Sequence, residues 1–304
     1  MADRLHAMTL LVAAVDAGSL SGAARALGLP LATVSRQVAQ LEARLGTRIL
    51  ERSSRGLALT DPGAAYVAAC RRILEDVAEA ERAAAGEFSA PRGLLTVTAP
   101  VVFGRLHVLP VVADFLAAYP EVDARVELTD RPVSLPEERL DAAIRIGELP
   151  DSSLRARRVG AVRRVACASP AYLARRGHPA TPAELAAHDC VTFESLAPAD
   201  RWAFGTGRGA EQVPVRARLT VNTAEAAVDA AMAGLGVVRV LSYQAAGGVA
   251  AGRLRLVLAD AEPAPWPVSI LFRAGPMPQK LRAFVDFAAP RLETALTGVA
   301  RDLA

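Results

Sequence analysis

Thr33, Ser35, Arg36 and Gln40 fall within one helix-forming stretch and supply hydroxyl, guanidinium and amide groups, with Ala32, Ala39 and Ala43 in the same stretch. A guanidinium is a planar fork that fits the paired acceptors of a guanine edge. Amides and hydroxyls fit other base edges, and alanine or threonine methyls meet the methyl of thymine. Small residues around one arginine also let a helix sit deep in a groove. A second set follows at once: Arg48, Arg52 and Arg55 surround a polar turn, Ser53-Ser54-Arg55-Gly56, between two short apolar stretches. Arginines placed that way track phosphates, fixing register without reading sequence. The chemistry on offer is recognition of double-stranded DNA, with base readout on a helix and backbone contact on a hairpin.

The elements that must hold these groups are legible around them. Leu5, Met8, Val12 and Val15 recur at helical spacing and predict a first helix with that stripe inward, ended by Gly18. Ser21 is the expected N-cap of an Ala-rich second helix that stops at Gly28, where a residue without Cβ permits a sharp turn. Pro30 pre-sets entry to a third helix in which Val34, Val38, Leu41 and Leu45 face the first two. At about 100° per residue this turns Ala32, Arg36, Ala39 and Ala43 outward, flanked by Thr33 and Gln40. Residues 47–52 and 57–60 then read as two strands of a basic wing. A plain helical domain with a solvated face is the competing reading; the wing and the length of the third helix weigh against it.

These residues carry a resemblance. Gly18-Ser19-Leu20-Ser21, Ala23-Ala24-Arg25-Ala26-Leu27, Val34-Ser35-Arg36-Gln37-Val38, Leu41-Glu42-Ala43-Arg44-Leu45-Gly46, and Arg52-Ser53-Ser54-Arg55 with Leu59-Thr60 make residues 3 to about 62 similar to the winged helix-turn-helix of LysR-type transcriptional regulators. One departure matters. Many members have Ser-Gln-Pro-Ala where this chain has Pro30-Leu31-Ala32-Thr33, so the resemblance carries Ser35 and Arg36 over and leaves the glutamine contact behind. Base readout is then expected to lean on Arg36, with Ala32 and Thr33 toward thymine methyls.

Past Pro62 a helix is expected to about residue 88. Tyr66, Cys70, Ile73, Val77, Ala80 and Ala84 alternate spacings of four and three, a heptad seam on which two copies would pair. Packing of that stripe on its own domain is the alternative. A homodimer places two reading helices on successive turns of a partly palindromic operator, and the resemblance extends this to a homotetramer.

Residues 89–93, Ser-Ala-Pro-Arg-Gly, are turn formers and read as a hinge. Beyond it, strand-like and helix-like stretches alternate to a last helix at about 279–295, which predicts an α/β domain of parallel strands and crossover helices. The resemblance implies an effector-binding domain like periplasmic binding proteins: two lobes, about 94–162 with 268–304 and about 163–267, and a ligand cleft between. The expected fold class is therefore an N-terminal all-α winged helix-turn-helix (1–61) plus a long linker helix (62–88), and a C-terminal α/β two-lobed periplasmic-binding-protein-like domain (94–304). Ligands of such sheets sit beyond the carboxyl ends of strands. That selects Ala99, Pro100, Val101 and Val102; Arg145, Ile146 and Gly147; Thr192 and Phe193; and Asn222 and Thr223, the last two being equally good as helix caps. Arg145 either neutralises an anionic effector or pairs with Asp141 or Glu148; the ion pair is favoured. Members often carry a hydroxyl on the first-strand loop for an inducer carboxylate; that loop is apolar here, leaving backbone N–H groups near 101–104. Trp202 and Phe204 are read as core or cleft lining.

Residues 1–60 hold seven arginines and four acids, a net +3 that equals the charge of the whole chain, so the positive excess sits at the DNA-facing end. No apolar run reaches the roughly 18 residues of a membrane span, and the start lacks a secretory apolar core, so a cytoplasmic protein is expected. The four histidines show no metal-ligand spacing, and no cofactor is expected. Three cysteines are too scattered for a disulfide framework; a Cys167–Cys190 redox switch is the minor reading. An enzyme is the rival class, but no nucleophile elbow, phosphate loop or dinucleotide fingerprint appears. A ligand-binding module on a helical dimeriser, without a DNA role, is the other rival.

Overall fold

The computed structural model describes residues 4–53, 56–84, 90–135, 137–149, 153–193, 201–207, 210–275 and 277–303. The chain divides into two compact units, Met1–Ser89 and Ala90–Ala304.

In the first unit α1 (Arg4–Asp16), α2 (Leu20–Leu27) and α3 (Leu31–Leu45) precede an antiparallel hairpin of β1 (Leu50–Ser53) and β2 (Gly56–Leu59), then α4 (Asp61–Ala84). Two points differ from the sequence reading. The N-cap of α2 is Ser19, whose hydroxyl accepts from the Gly22 N–H at 3.0 Å; Ser21 lies inside the helix. And α1 buries more than the expected stripe: Ala7, Met8, Leu10, Leu11 and Ala14 are buried, while Leu5, Val12 and Val15 are half-buried against the cluster that holds Met8. That helix is apolar on nearly every side and is packed by α2 and α3 on one flank and α4 on another, so periodicity alone does not choose its inward face. Gly28 and Gly46 end α2 and α3 at φ +65° and +67°, the left-handed region that favours glycine.

Two apolar clusters hold the unit together. Leu10, Ala14, Ala23, Ala24 and Val34 join the first three helices. Met8, Leu11, Val38, Leu41, Ile49, Val67 and Cys70 bind α1, α3 and the hairpin to α4. The α4 contact is close. A Cβ on Gly63 would lie 2.1 Å from the Ile49 carbonyl oxygen, so only glycine fits. Thr60 stitches the same joint: its hydroxyl donates to the Arg48 carbonyl at 2.7 Å and accepts from the Gly63 N–H at 3.0 Å.

The second unit has two lobes, each built on a sheet that shows five strands among the described residues. Lobe I contains β3 (Gly93–Ala99), α5 (Val101–Phe103), a π-turn at Gly104–Val108, α6 (Leu109–Ala118), β4 (Val122–Leu128), β5 (Ala142–Ile146) and β6 (Leu154–Val162), in the order β4-β3-β5-β14-β6. The chain then passes to β7 (Arg164–Ala168), α7 (Pro170–Arg176), a 3-10 turn at Pro182–Ala187, β8 (Cys190–Phe193), a separate hairpin of β9 (Arg201–Phe204) and β10 (Glu211–Pro214), β11 (Ala217–Val221), α8 (Ala224–Met232), β12 (Val237–Leu241), α9 (Ser242–Ala250) and β13 (Arg255–Val257). The lobe II sheet runs β11-β8-β12-β7-β13. β14 (Trp266–Arg273) returns to lobe I, and α10 (Gln279–Asp302) packs on it.

The sheets are mixed rather than parallel throughout. β4, β3 and β5 pair parallel, as do β11, β8 and β12, whereas β14 and β6, β7 and β13 pair antiparallel. The reversed strands are β7 and β14, the first strand after each of the two passages between lobes, where the chain enters a sheet from the opposite end. At these passages Arg163 makes a two-pronged ion pair with Glu262, 2.7 Å at each prong, and donates to the Leu303 carbonyl at 3.3 Å. The helical run Val101–Ala118 is long and apolar enough to cross a membrane, but Phe103, Val108, Val111, Val112 and Phe115 bury it in the lobe I core.

Candidate nucleic-acid interface and effector cleft

In α3 the apolar period does what the sequence requires of it. Val34, Val38 and Leu41 are buried, while Leu45, expected inward, is 38% exposed because the last turn overruns the core before Gly46. The opposite face is open: Ala32, Ser35, Arg36, Ala39 and Gln40 are exposed and Thr33 is half-exposed. Arg36 has no ion-pair partner among the described residues. Arg48 is exposed just ahead of β1. Arg52 lies in β1 opposite Leu57, with its side chain outside the description, and Arg55 lies outside the described residues.

Two residues here had no role in the sequence reading beyond the motifs they belong to. Leu31, at the place of the absent glutamine, opens α3 at 49% exposure. Glu42 accepts from the backbone N–H groups of Ile49 and Leu50 through one oxygen, at 2.7 and 3.0 Å. It ties the reading helix to the wing, and its half-buried position one step from Leu41 was the available signal.

The pairing seam needs correction. Cys70 is wholly buried in its own unit's core and Tyr66 packs against the same cluster, so the inward stripe of α4 runs Gly63, Val67, Cys70, Leu74. Ile73 is 40% exposed and Val77 half-buried, and neither belongs to that cluster. The side chains of Ala80 and Ala84 lie outside the description.

In the second unit the selected segments stand at strand ends. Ala99 closes β3 fully buried, Pro100 and Val101 are half-buried, and Val102 is buried. The Val101 N–H, expected to be available to a ligand, donates to Asp130 at 3.1 Å. Arg145, Ile146 and Gly147 close β5, with Gly147 at φ +112°. The ion pair favoured for Arg145 is not formed. Asp141 instead accepts from the Thr96 N–H at 2.7 Å, Glu148 is exposed, and Glu138 is held by Arg131 at 2.6 Å. Arg145 donates weakly to the Thr129 and Ile144 carbonyls at 3.5 and 3.4 Å, and its second terminal nitrogen is buried without a partner among the described residues. Burial holds its pKa below the usual arginine range, with Asp130 and Glu138 pulling the other way.

Thr98 was missed. It is fully buried, its hydroxyl has no partner among the described residues, and the β3–β5 register sets it beside Ala143, on the sheet face that Arg145 shares two residues along. The hydroxyl lacking from the first-strand loop thus stands one residue earlier, on the strand; period-2 counting from Thr96 would have found it. In lobe II the Thr192 hydroxyl is bonded to that of Thr220 at 3.0 Å, Phe193 is half-buried, and Asn222 is exposed. Thr223 is the N-cap of α8, accepting from the Ala226 N–H at 3.2 Å. Trp202 and Phe204 are core. Between the lobes Arg105 meets Glu225 at 3.1 Å, and Phe103, His107 and Tyr243 stack with ring centroids 5.0 to 5.8 Å apart. His107 Nε2 is buried without a partner among the described residues, and burial lowers that histidine's pKa.

The redox pairing is excluded by topology. β12 separates β7 from β8, and Cys167 and Cys190 belong to cores on opposite faces of the sheet. Burial pushes each thiol up to about 12.

A helix with an open polar face beside a wing, carried with a two-lobed α/β sensor, defines a DNA-binding regulator controlled by a small molecule. Comparison with known proteins agrees. Two family models match: the bacterial regulatory helix-turn-helix protein of the lysR family over residues 5–64 and the LysR substrate binding domain over residues 89–293. The chain is 35% identical over 297 residues to an HTH-type transcriptional regulator of Xanthomonas campestris, covering 96% of this chain and 86% of that one. It is 33% identical to the regulator CrgA of Neisseria meningitidis, covering 96% and 98%. The full-length structure of the Vibrio cholerae virulence activator AphB superposes with a TM-score of 0.59 at 26% identity over 94% of this chain and 98% of that one. The chain belongs to the LysR family of transcriptional regulators: it binds DNA through the helix-turn-helix, and a small-molecule effector in the substrate-binding domain modulates that binding.

Proposed function

We propose that α3 reads operator bases through Arg36, Ser35, Thr33, Gln40 and Ala32, with Arg48, Arg52 and Arg55 on phosphates. The observation that carries this is the open face of α3 around Arg36, which has no ion-pair partner among the described residues. The division supporting it is a DNA-binding domain at 1–61, a linker helix at 62–88, a hinge at 89–93, and an effector domain at 94–304 with lobe I at about 94–162 and 268–304 and lobe II at about 163–267. Two copies pair through the outer side of α4, where Ile73 is exposed, and dimers assemble further into a tetramer. The protein works in the cytoplasm, as a regulator and not as an enzyme, with no cofactor, metal or membrane partner.

The effector occupies the cleft beside Ala99, Pro100, Val101, Val102, Arg145, Ile146 and Gly147, with Thr192, Phe193, Asn222 and Thr223 across from them. An uncompensated guanidinium at Arg145 and an unpartnered Thr98 hydroxyl favour an anionic, hydrogen-bonding effector. Such a ligand stabilises one arrangement of the lobes over another and shifts the population of DNA-bound assemblies, altering half-site spacing and bend. Mobility shift with the chain's own promoter region tests this. Retention that survives nonspecific competitor, and that Arg145→Gln makes unresponsive to every small carboxylate tried, is the expected result. Retention equal for unrelated DNA contradicts it.

A further inference from the structure

Lobe II carries a second basic site that the effector reading does not use. In the antiparallel β7–β12 pair Arg164 stands opposite Leu241 and Arg239 opposite Ala166, so both guanidiniums leave the sheet on the face of Ala166 and Val237. The β9–β10 hairpin covers that face with Trp202 and Phe204. Arg239 lies over both rings, at 5.6 and 6.0 Å, and donates to the Ala203 carbonyl at 2.7 Å. Arg164 lies 4.5 Å over Trp266 and donates to the Ala264 carbonyl at 3.3 Å. Neither makes an ion pair with a described residue, and Arg164 Nε is buried with no partner. Burial depresses both pKa values, Arg239 to about 10, and the two cations repel each other. Half-buried like charges with an orphaned N–H are costly unless a counter-charge completes them. Beside Arg164 a cavity of about 300 Å³ opens, walled by Phe204, Gly205, Glu211, Pro263 and Ala264.

We propose that this cavity binds a small monocarboxylate with an apolar body, its carboxylate forked on Arg164 with Arg239 supplying charge behind it. The volume is at the low end for metabolite sites and the wall is mostly apolar, which sets the body. A planar guanidinium suits a carboxylate bidentately, and exposed Glu211 on the wall repels dianions such as phosphate. The site shares no residue with the effector cleft and does not depend on that assignment. Pro263 and Ala264 belong to the passage back to lobe I, so an occupant joins the hairpin to that passage.

The chain's two tryptophans, Trp202 and Trp266, both stack on these arginines and report the site by fluorescence. Full-length protein titrated with cyclohexanecarboxylate is expected to give a saturable change that cyclohexanecarboxamide and inorganic phosphate do not, since the amide lacks the charge and phosphate lacks the apolar body. Arg145→Gln is expected to keep the response, and Arg164→Gln and Arg239→Gln to weaken it about tenfold or more, a loss on the scale of one charge-assisted pair. Should the arginine variants fail to fold, the comparison of acid with amide on the unaltered chain decides. No saturable change, an equal response to acid and amide, or a response that Arg145→Gln removes and Arg164→Gln keeps overturns the proposal.

Discussion

Removing the Glu42 side chain tests how the wing is held to the reading helix. One carboxylate oxygen accepts two backbone N–H groups, at 2.7 Å from Ile49 and 3.0 Å from Leu50, and Ile49 is fully buried. Charge-assisted hydrogen bonds contribute about 1.5–3 kcal/mol each and an orphaned buried donor costs about 1–3 kcal/mol. The Leu50 donor is only partly shielded and both share one acceptor, so Glu42→Ala is expected to cost about 2–3 kcal/mol, below the simple sum. Glu42→Gln keeps an acceptor of the same shape at roughly half the strength and should cost about 1 kcal/mol. In a unit of 89 residues, Met1–Ser89, each kcal/mol moves the midpoint by about 4–8 °C. Calorimetry on the full chain should therefore show the amino-terminal transition falling by about 10–20 °C for alanine and about 5 °C for glutamine, with operator affinity falling in the same order because the wing loses its fixed angle. Equal midpoints for the two variants and the unaltered chain, or an unstable alanine variant with full operator affinity, would refute the coupling.

Other outcomes follow from the same geometry. Gly63→Ala drives a Cβ to 2.1 Å from the Ile49 carbonyl oxygen and should destabilise the first unit by about 1–3 kcal/mol, seen in urea unfolding as a lower midpoint at constant slope. His107 has its pKa lowered by burial from 6.5, so its neutral form is favoured in the fold. The resulting stability is complete above that unfolded value and is lost as pH falls below it through the folded one, an acid limb that His107→Leu should remove from the stability profile. Cys167 and Cys190, with thiols pushed up to about 12, should resist a thiol-specific reagent in the folded chain at neutral pH and react only at the rate of unfolding, which mass spectrometry of labelled protein would reveal.

Where one physical constraint dominated, the sequence could be read directly. The third helix has a polar face and a narrow apolar stripe, so Val34, Val38 and Leu41 announce both the core and the open side that bears Arg36. Glycines at left-handed turns, Gly28 and Gly46, marked the ends of the second and third helices. The first helix is apolar almost all round, and its inward face depended on what packs against it. The same holds for α4: a heptad-like spacing fits a partner helix and a home domain equally, and Cys70 went to the home domain. The effector side was harder. Arg145 has acids nearby in sequence, but backbone N–H groups and Arg131 claimed Asp141 and Glu138, and only three-dimensional packing decides such competition. The π-turn at Gly104–Val108 and the β9–β10 hairpin left no local signal, since both depend on contacts made across the fold.

The claim on which the rest stands is that α3 enters the major groove and reads bases through Arg36. The most direct measurement is enrichment of bound sequences from random duplex DNA, compared between the unaltered chain, Arg36→Ala and Arg48→Ala. The account predicts a partly palindromic motif for the unaltered chain, a motif that loses information at one base pair per half-site in Arg36→Ala, and an unchanged motif with uniformly weaker retention in Arg48→Ala. An Arg36→Ala motif identical to that of the unaltered chain would contradict it.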